Sequence, residues 1–253
     1  MEIEVSPAQI SGSRRGGVRL RSFESSLGLL LPMRASKIRS DGHSSFHFKL
    51  TPRGLGGRRR AKDRPYTRGE AVRAVRYILR EAAREIQGRG IVSNISQDPD
   101  IIAGLFSALE EIEIAGGREN ANVFISIVVS LPHELTAIER EKVLASICQL
   151  LAELGLPHVA VPHAPDPEGD PRNYHGHILT SLRPFEHRDG GFALATSTLG
   201  AMNTAEFVLS LRRNAAEAMN EAMAVAGHSP TSSVISRRRR STPIARSSAT
   251  RSS

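Results

Sequence analysis

Hydrophobic and polar positions alternate in a few short segments of the chain, and these segments predict β-strands. Residues 44–51 (SSFHFKLT) alternate between apolar and polar side chains, and residues 122–131 (NVFISIVVSL) form a β-branched run. Residues 158–163 (HVAVPH) and 174–182 (YHGHILTSL) flank a polar loop rich in turn-forming residues. The pattern therefore predicts four strands, the last two of which form a hairpin.

Apolar residues recur at helical spacing in four other segments. Residues 71–87 carry an apolar stripe that continues to Ile86, and they follow Thr67 and Glu70, which have the spacing of a capping box. Three more helices are predicted, over residues 100–114, 136–154 and 204–226, and a glycine closely follows each of them. Strands and helices together predict a mixed domain rather than an all-helical or all-β one.

The net charge of the 253-residue chain is +8, but it is concentrated at the two ends. Residues 1–66 carry a charge of +9 and residues 229–253 carry +6, whereas residues 67–228 carry −7. A basic total suggests nucleic-acid binding. Because the central segment is acidic, any positive charge that holds a nucleic acid there must be local.

Composition divides the chain into three parts. Residues 1–43 are rich in Ser, Gly and Arg, and residues 229–253 in Ser, Arg, Thr and Pro, so we expect both to be disordered basic tails. Residues 44–228 are expected to form one folded domain. The single cysteine, Cys148, excludes an internal disulfide, and no apolar run has the length of a membrane span. We therefore expect a cytoplasmic protein without membrane insertion.

Three histidines lie on the two strands of the predicted hairpin. His175 and His177 are separated by one residue, so their side chains share one face of a strand. If the strands pair, His163 lies opposite them, and three imidazoles converge with coordination positions left open, as a catalytic metal site requires. The alternative is that one or two of them are ordinary strand histidines.

Tyr77 lies on the polar face of the first predicted helix. Arg73, Arg80 and Arg84 lie three, four or seven positions away and share this face. The simplest interpretation is a tyrosine at a rim with solvated charges around it. The functional alternative is a phenol presented to a phosphate backbone, with a metal or base assisting attack because the pKa of a free phenol is about 10. Together with the histidines, Tyr77 suggests phosphoryl transfer on nucleic acid.

Five segments of the chain occur in the order seen in one family. They are a first strand (SFHFKLTPRG), a helix with Tyr77 (AVRAVRYILREA), a strand-to-helix junction (VVSLPHELT), a three-histidine segment (HAPDPEGDPRNYHGHILTSLRP) and a closing helix (LRRNAAEAMNEAMAVAG). In these segments the chain resembles the MobA/MobL family of plasmid relaxases, which belongs to the HUH endonucleases. The resemblance covers about residues 44–228.

The resemblance implies an α+β fold in which a mainly antiparallel central sheet carries the histidines and helices flank it. It implies a relaxase that nicks one DNA strand at a plasmid origin of transfer and later rejoins it. Tyr77 would attack the scissile phosphate and form a 5′-phosphotyrosyl link with a free 3′-hydroxyl. Because that ester preserves the bond energy, rejoining needs no ATP.

The resemblance also implies a cofactor and partners. A divalent metal, Mg²⁺ or Mn²⁺, would be held by His163, His175 and His177, although all-imidazole ligation suits Mn²⁺, Zn²⁺ or Ni²⁺ better than Mg²⁺. The DNA contacts predicted from charge are Arg73, Arg80 and Arg84. Implied partners are single-stranded DNA at the origin, accessory mobilisation proteins and a type IV coupling protein, with the basic C-terminal tail as a candidate translocation signal.

The chain departs from the family's pattern at three points. Tyr174 replaces the proline before the histidine pair, Gly176 replaces a bulkier residue, and residues 124–130 lack the family's strand carboxylate, for which Glu134 is a nearby candidate. These departures motivate a second hypothesis, a relaxase-like protein that binds single-stranded DNA without cutting it. A third hypothesis, an HUH replication initiator, is disfavoured because Tyr77 precedes the histidines, whereas such initiators carry their tyrosine after them.

Overall fold

A computed structural model describes residues 47–56, 65–200 and 204–229 of the chain. The predicted leader, nearly all of the predicted tail and residues 57–64, an arginine-rich stretch of sequence, lie outside the described residues. Within the described residues the protein is α+β, with a five-stranded antiparallel sheet at its centre. The expected fold class is therefore confirmed.

The central sheet has the strand order β1-β3-β5-β4-β2, and every neighbouring pair is antiparallel. A separate hairpin, β6–β7, was not predicted from the sequence. The strands are β1 (Phe48–Gly54), β2 (Val92–Ser93), β3 (Asn122–Ser130), β4 (His158–His163), β5 (His175–Thr180), β6 (Phe185–Arg188) and β7 (Gly191–Leu194).

Four helices cover the two faces of the sheet: α1 (Glu70–Leu79), α2 (Pro99–Ala115), α3 (Ala137–Glu153) and α4 (Ala205–Val225). One face packs with α3 and α4 around Ile127 and Ile178, which are almost fully buried. The other face packs with α1 and α2 around Val161 and Leu179. No helix within these described segments is both long and apolar enough to cross a membrane.

Side-chain caps begin three of the helices. Thr136 and Glu139 form a reciprocal capping box at the start of α3. The side chains of Asp98 and Thr204 accept hydrogen bonds from the first turns of α2 and α4. These three helices lie within one or two residues of the bounds expected from sequence.

Helix α1 differs from its prediction in its cap and in the position of its end. It begins at Glu70, one residue before the predicted start, after Gly69 in a left-handed conformation with φ 81°. One half of the predicted capping box forms, since Thr67 N donates to Glu70 Oε2 (3.4 Å), whereas the Thr67 hydroxyl accepts from Arg73 Nη2 (2.6 Å). The helix ends at Leu79 instead of residue 87. A short 3-10 turn (Glu81–Ala83) follows α1.

The early end of α1 has a tertiary cause. After the 3-10 turn the chain pairs with the end of β4, since Glu85 N donates to Pro162 O and Ala164 N donates to Ala83 O, both at 3.1 Å. Arg84 and His163 form an antiparallel bridge at the same place. The segment predicted as a helical continuation therefore extends the sheet edge beside the histidines.

Gly176 explains how α3 approaches the sheet so closely behind the histidines. A methyl group at this position would collide with a methyl of Leu144 and lie 3.2 Å from Val129 Cγ1. Leu144 and Val129 are fully buried, so neither side chain has open space to move into. The glycine between the two histidines is therefore required by packing on the opposite face of β5.

We expect Gly176→Ala to lower the free energy of unfolding by about 1–3 kcal/mol through overpacking. A matched control is Gly104→Ala on the exposed side of α2, where nothing lies within 4 Å of the added methyl. This control should raise stability by about 0.5–1 kcal/mol, because alanine has the higher helix propensity. Urea unfolding of both variants measures the two changes in the free energy of unfolding. If both substitutions changed it in the same direction, the packing explanation would be contradicted.

Candidate active site

The register of β4 and β5 brings the three predicted histidines to one place. His163 is the direct partner of His175, and Val161 is the partner of His177, so all three histidines lie on the sheet face that α1 covers. Their ring centroids are 4.5 to 5.5 Å apart. One nitrogen of each ring lies within 4.8 Å of the others, which is the arrangement of a possible metal site.

Helix α1 brings Tyr77 to the same site. The apolar side of α1, including Val75 and Ile78, is buried against the sheet, whereas Tyr77 is 56% exposed. The Tyr77 ring meets the His177 ring edge-on with centroids 6.2 Å apart. The fold therefore places a phenol beside the imidazole cluster although about 100 residues separate them in sequence.

Backbone carbonyls orient two of the imidazoles. His163 Nε2 lies 2.8 Å from Ile78 O, and His175 Nδ1 lies 3.1 Å from Asn173 O. Because a carbonyl oxygen only accepts hydrogen bonds, these two ring nitrogens carry the protons. The lone pairs that remain for a metal are on His163 Nδ1 and His175 Nε2.

Burial keeps the imidazoles of His163 and His177 neutral. The pKa of His177 is lowered to about 3, mainly by burial and further by the neighbouring rings of His163 and His175 and by the Arg80 guanidinium. Burial also lowers the pKa of His163, partly offset by its hydrogen bond with Ile78 O. At neutral pH both rings are unprotonated, which is the form that binds a metal.

The last carbonyls of α1 have no partners within the helix, and three side chains satisfy them. Arg80 Nη1 donates to Tyr77 O (2.6 Å), and Arg84 Nε donates to Leu79 O (2.9 Å). Between them, Ile78 O accepts from His163. The end of the helix that carries the phenol is thus bonded directly to a candidate metal ligand.

The three arginines predicted to contact DNA all lie along α1 or just after it, and each makes intramolecular contacts. Arg80 stacks over the Tyr77 ring, with its guanidinium carbon 3.9 Å from the ring centroid. Arg73 is exposed and donates to Thr67 and to Arg68 O. Arg84 is half-buried. Arg73 and Arg80 remain accessible to a ligand, and the DNA contacts stay a prediction.

No carboxylate belongs to the group of possible metal ligands among the described residues. The residue of β3 opposite His177 is Val128. Glu134, the candidate replacement, contacts His133 instead, with 3.2 Å between Nδ1 and Oε2. In this protein, main-chain carbonyls rather than an acidic side chain orient two of the three histidines.

Lys49 lies on the same face of the sheet as the histidines, a placement that sequence reasoning missed. It is exposed on β1 and pairs with Val128, which in turn pairs with His177. Directly opposed residues of antiparallel strands share a face, and neighbouring strands lie about 4.8 Å apart. Lys49 therefore lies on the histidine face, two strands from His177, a placement that no local sequence signal indicates.

The donor set fits a divalent transition metal. Three imidazoles, two of them oriented by backbone carbonyls, leave further coordination positions open to a ligand, as in catalytic rather than structural sites. The hydrogen bond from His163 Nε2 to Ile78 O sets the tautomer of His163, and metal-binding histidines usually have such a bond from their other ring nitrogen.

Comparison with known proteins shows a similarity of fold. The chain matches no protein-family model and none of the curated proteins. A solved structure described as "Molecular Basis of Vancomycin Resistance Transfer in Staphylococcus aureus" is similar, with a TM-score of 0.51 and 16% sequence identity. The match covers 74% of this chain and 96% of that chain. At this identity the similarity shows a shared fold.

We expect His177→Ala to weaken Mn²⁺ binding by about 100-fold or more. Loss of a ligand should reduce the metal affinity at least as much as loss of a hydrogen bond that supports a ligand. His187→Ala is the matched control, because His187 is exposed, lies outside the cluster and bonds Asn94 O (2.8 Å). Isothermal titration or Mn²⁺ EPR measures both affinities. Equal affinities of the two variants would show that the cluster is not the metal site.

Proposed function

We propose that the protein is a relaxase: a metal-dependent enzyme that nicks and rejoins one DNA strand through Tyr77. The observation that carries the proposal is the edge-on approach of the Tyr77 ring to His177, which belongs to the three-imidazole cluster. The fold shared with a protein of resistance transfer and the MobA/MobL-like motifs support the same function.

The proposed reaction is a transesterification. The Tyr77 oxygen forms a bond to the phosphorus of the scissile phosphate, and the bond from phosphorus to the 3′ oxygen breaks. The phenol proton is lost to solvent, and the 3′ oxygen takes up a proton to become the free hydroxyl. The reverse reaction rejoins the strand, so bond number and charge are conserved in each direction.

His163, His175 and His177 are proposed to hold the divalent metal. A metal at this position would polarise the scissile phosphate and offset charge that develops in the transition state. Because their lowered pKa keeps them neutral, His163 and His177 are suited to be metal ligands rather than proton acceptors. The phenol is exposed, so its proton can pass directly to water.

The proposed substrate is single-stranded DNA at an origin of transfer. Arg73 and Arg80 are exposed near Tyr77, and Arg84 directly follows the 3-10 turn after α1. Lys49 adds a cation on the open part of the sheet face. These local cations would hold phosphates on a domain whose net charge is negative.

Accessory mobilisation proteins and a type IV coupling protein remain proposed partners, on the MobA/MobL resemblance alone. The proposed place of action is the cytoplasm of the donor cell, with transfer of the covalent complex to the recipient.

The substrate is a supercoiled plasmid that carries the DNA flanking the gene for this protein. We expect Tyr77→Phe to reduce the rate of nicking by roughly 1,000-fold or more, because the nucleophile is absent. Single-stranded DNA binding should persist. A gel assay for open-circular plasmid and for a covalent protein–DNA adduct measures the loss. Undiminished nicking by the variant would disprove the assignment of Tyr77.

Tyr66→Phe is the matched control for this experiment. Tyr66 donates its hydroxyl hydrogen bond to Glu110, away from the histidines. The control loses this bond and some stability, but it should form the adduct as the unmodified protein does. The comparison separates the loss of a phenol at the site from a general weakening of the fold.

A second candidate function is single-stranded DNA binding without cleavage. Val128, rather than an acidic residue, faces His177, which favours a protein that has lost part of the chemistry. This candidate predicts DNA binding that is unaffected by EDTA, together with no nicking at any Mn²⁺ or Mg²⁺ concentration. Metal-dependent nicking excludes it.

We expect Lys49→Gln to weaken binding of an unstructured single-stranded oligonucleotide and to reduce the slope of log K against log salt by about 0.7, the value for one phosphate contact. Lys142→Gln is the control, because Lys142 is exposed on α3, which covers the opposite face of the sheet. Fluorescence anisotropy at several salt concentrations measures both slopes. Equal slopes for the two variants would place the DNA elsewhere.

A further inference from the structure

One buried arginine, Arg140, contacts three segments that surround the histidine site. Its side chain is 5% exposed, and its Nε atom donates to both carboxylate oxygens of Glu85, at 3.0 and 2.9 Å. Its guanidinium carbon lies 3.8 Å from the centre of the Tyr174 ring. Its Nη1 atom donates to the main chain of the turn between β3 and α3, at Pro132 O (3.0 Å), His133 O (3.3 Å) and Leu135 O.

Two of these contacts adjoin the metal-site strands at the same end. Glu85 N donates to Pro162 O, the residue before His163. Tyr174 directly precedes His175, and its carbonyl accepts from Leu131 N (2.9 Å). Arg140 therefore connects the end of β4 with the beginning of β5, on either side of the point where His163 and His175 are paired.

The connection between these two strands explains why such a contact is needed. Residues 164–174 form a long, mostly exposed loop with no strand pairing of its own. A two-residue hairpin turn would set the register locally, whereas a loop of this length does not. The ends of β4 and β5 must therefore be held by tertiary contacts, and Arg140 supplies them from α3.

We propose that Arg140 is a positioning residue for the histidine site, because it holds the ends of β4 and β5 in the register that brings the imidazoles together. The same residue holds the segment that follows α1, so it also fixes the helix of Tyr77 relative to the metal ligands. Tyr174, which stands where MobA/MobL relaxases have proline, provides the aromatic surface for the guanidinium. The inference rests on the proposed metal site.

The test replaces the buried ion pair as a unit, so that no charge is left unpaired. In Glu85→Leu with Arg140→Met, we expect the dissociation constant for Mn²⁺ to rise by about 10- to 100-fold, the range for lost supporting contacts. The matched control is Glu113→Leu with Arg183→Met, which removes the other buried pair, whose side chains are 2% and 6% exposed. That pair lies outside the histidine cluster, and the control should change the Mn²⁺ affinity by less than about threefold. Equal losses in both double variants, or no loss in either, would overturn the proposal.

A second readout does not depend on the metal. In the metal-free protein, amide hydrogen exchange should accelerate at Glu85, Ala164 and Leu131 in the Arg140 double variant and stay slow in the control, since these amides bond across the held strand ends. Unchanged exchange at all three would overturn the proposal. Accelerated exchange in a protein whose unmodified form binds no Mn²⁺ would support the positioning role and disprove the metal site.

Single variants at Tyr174 cover the case in which the double variant does not fold. Tyr174→Ala removes the surface on which the guanidinium lies, and Mn²⁺ affinity should fall by about tenfold. Tyr174→Phe keeps the ring and should restore the affinity of the unmodified protein. Equal affinities of the alanine and phenylalanine variants would overturn the role of the contact.

Discussion

The antiparallel register of β4 and β5 is the constraint on which the site depends. With His163 paired to His175, three imidazoles share one face of the sheet. Gly176, the buried residue between the two histidines of β5, faces the other side. A shift of one residue would turn the histidines of β5 towards α3 and bring Ile178 to the site. The chemistry therefore rests on a pairing that a long polar loop cannot set by itself.

The second constraint is the position at which α1 ends. Because the helix stops at Leu79, its last carbonyls are free to bond with side chains, and His163 takes one of them. The chain that follows can then pair with β4 instead of continuing as a helix. The end of α1, the candidate metal ligand His163 and the strand edge are thus parts of one hydrogen-bonded unit, and Tyr77 lies within it.

Charge is organised locally rather than globally in this protein. The central segment is acidic, but the face with the histidines carries Lys49, Arg73 and Arg80 as exposed cations. Several of the arginines also stabilise the fold, as Arg80 does at the end of α1. A phosphate ligand would then meet cations whose positions are already restricted, which reduces the entropy lost on binding.

The sequence by itself determined the α+β class, three of the four helices, the main strands and the identity of the three histidines and Tyr77 as candidates. Those features depend on local periodicity, caps and spacing, as at Thr136 and in the pair His175 and His177. Tertiary structure alone decided that α1 stops at Leu79, that carbonyls orient two of the histidines, that Arg140 contacts segments around them, and that Lys49 lies on their face of the sheet. These features arise from contacts between residues distant in the chain, and such contacts leave no periodic signal in the sequence.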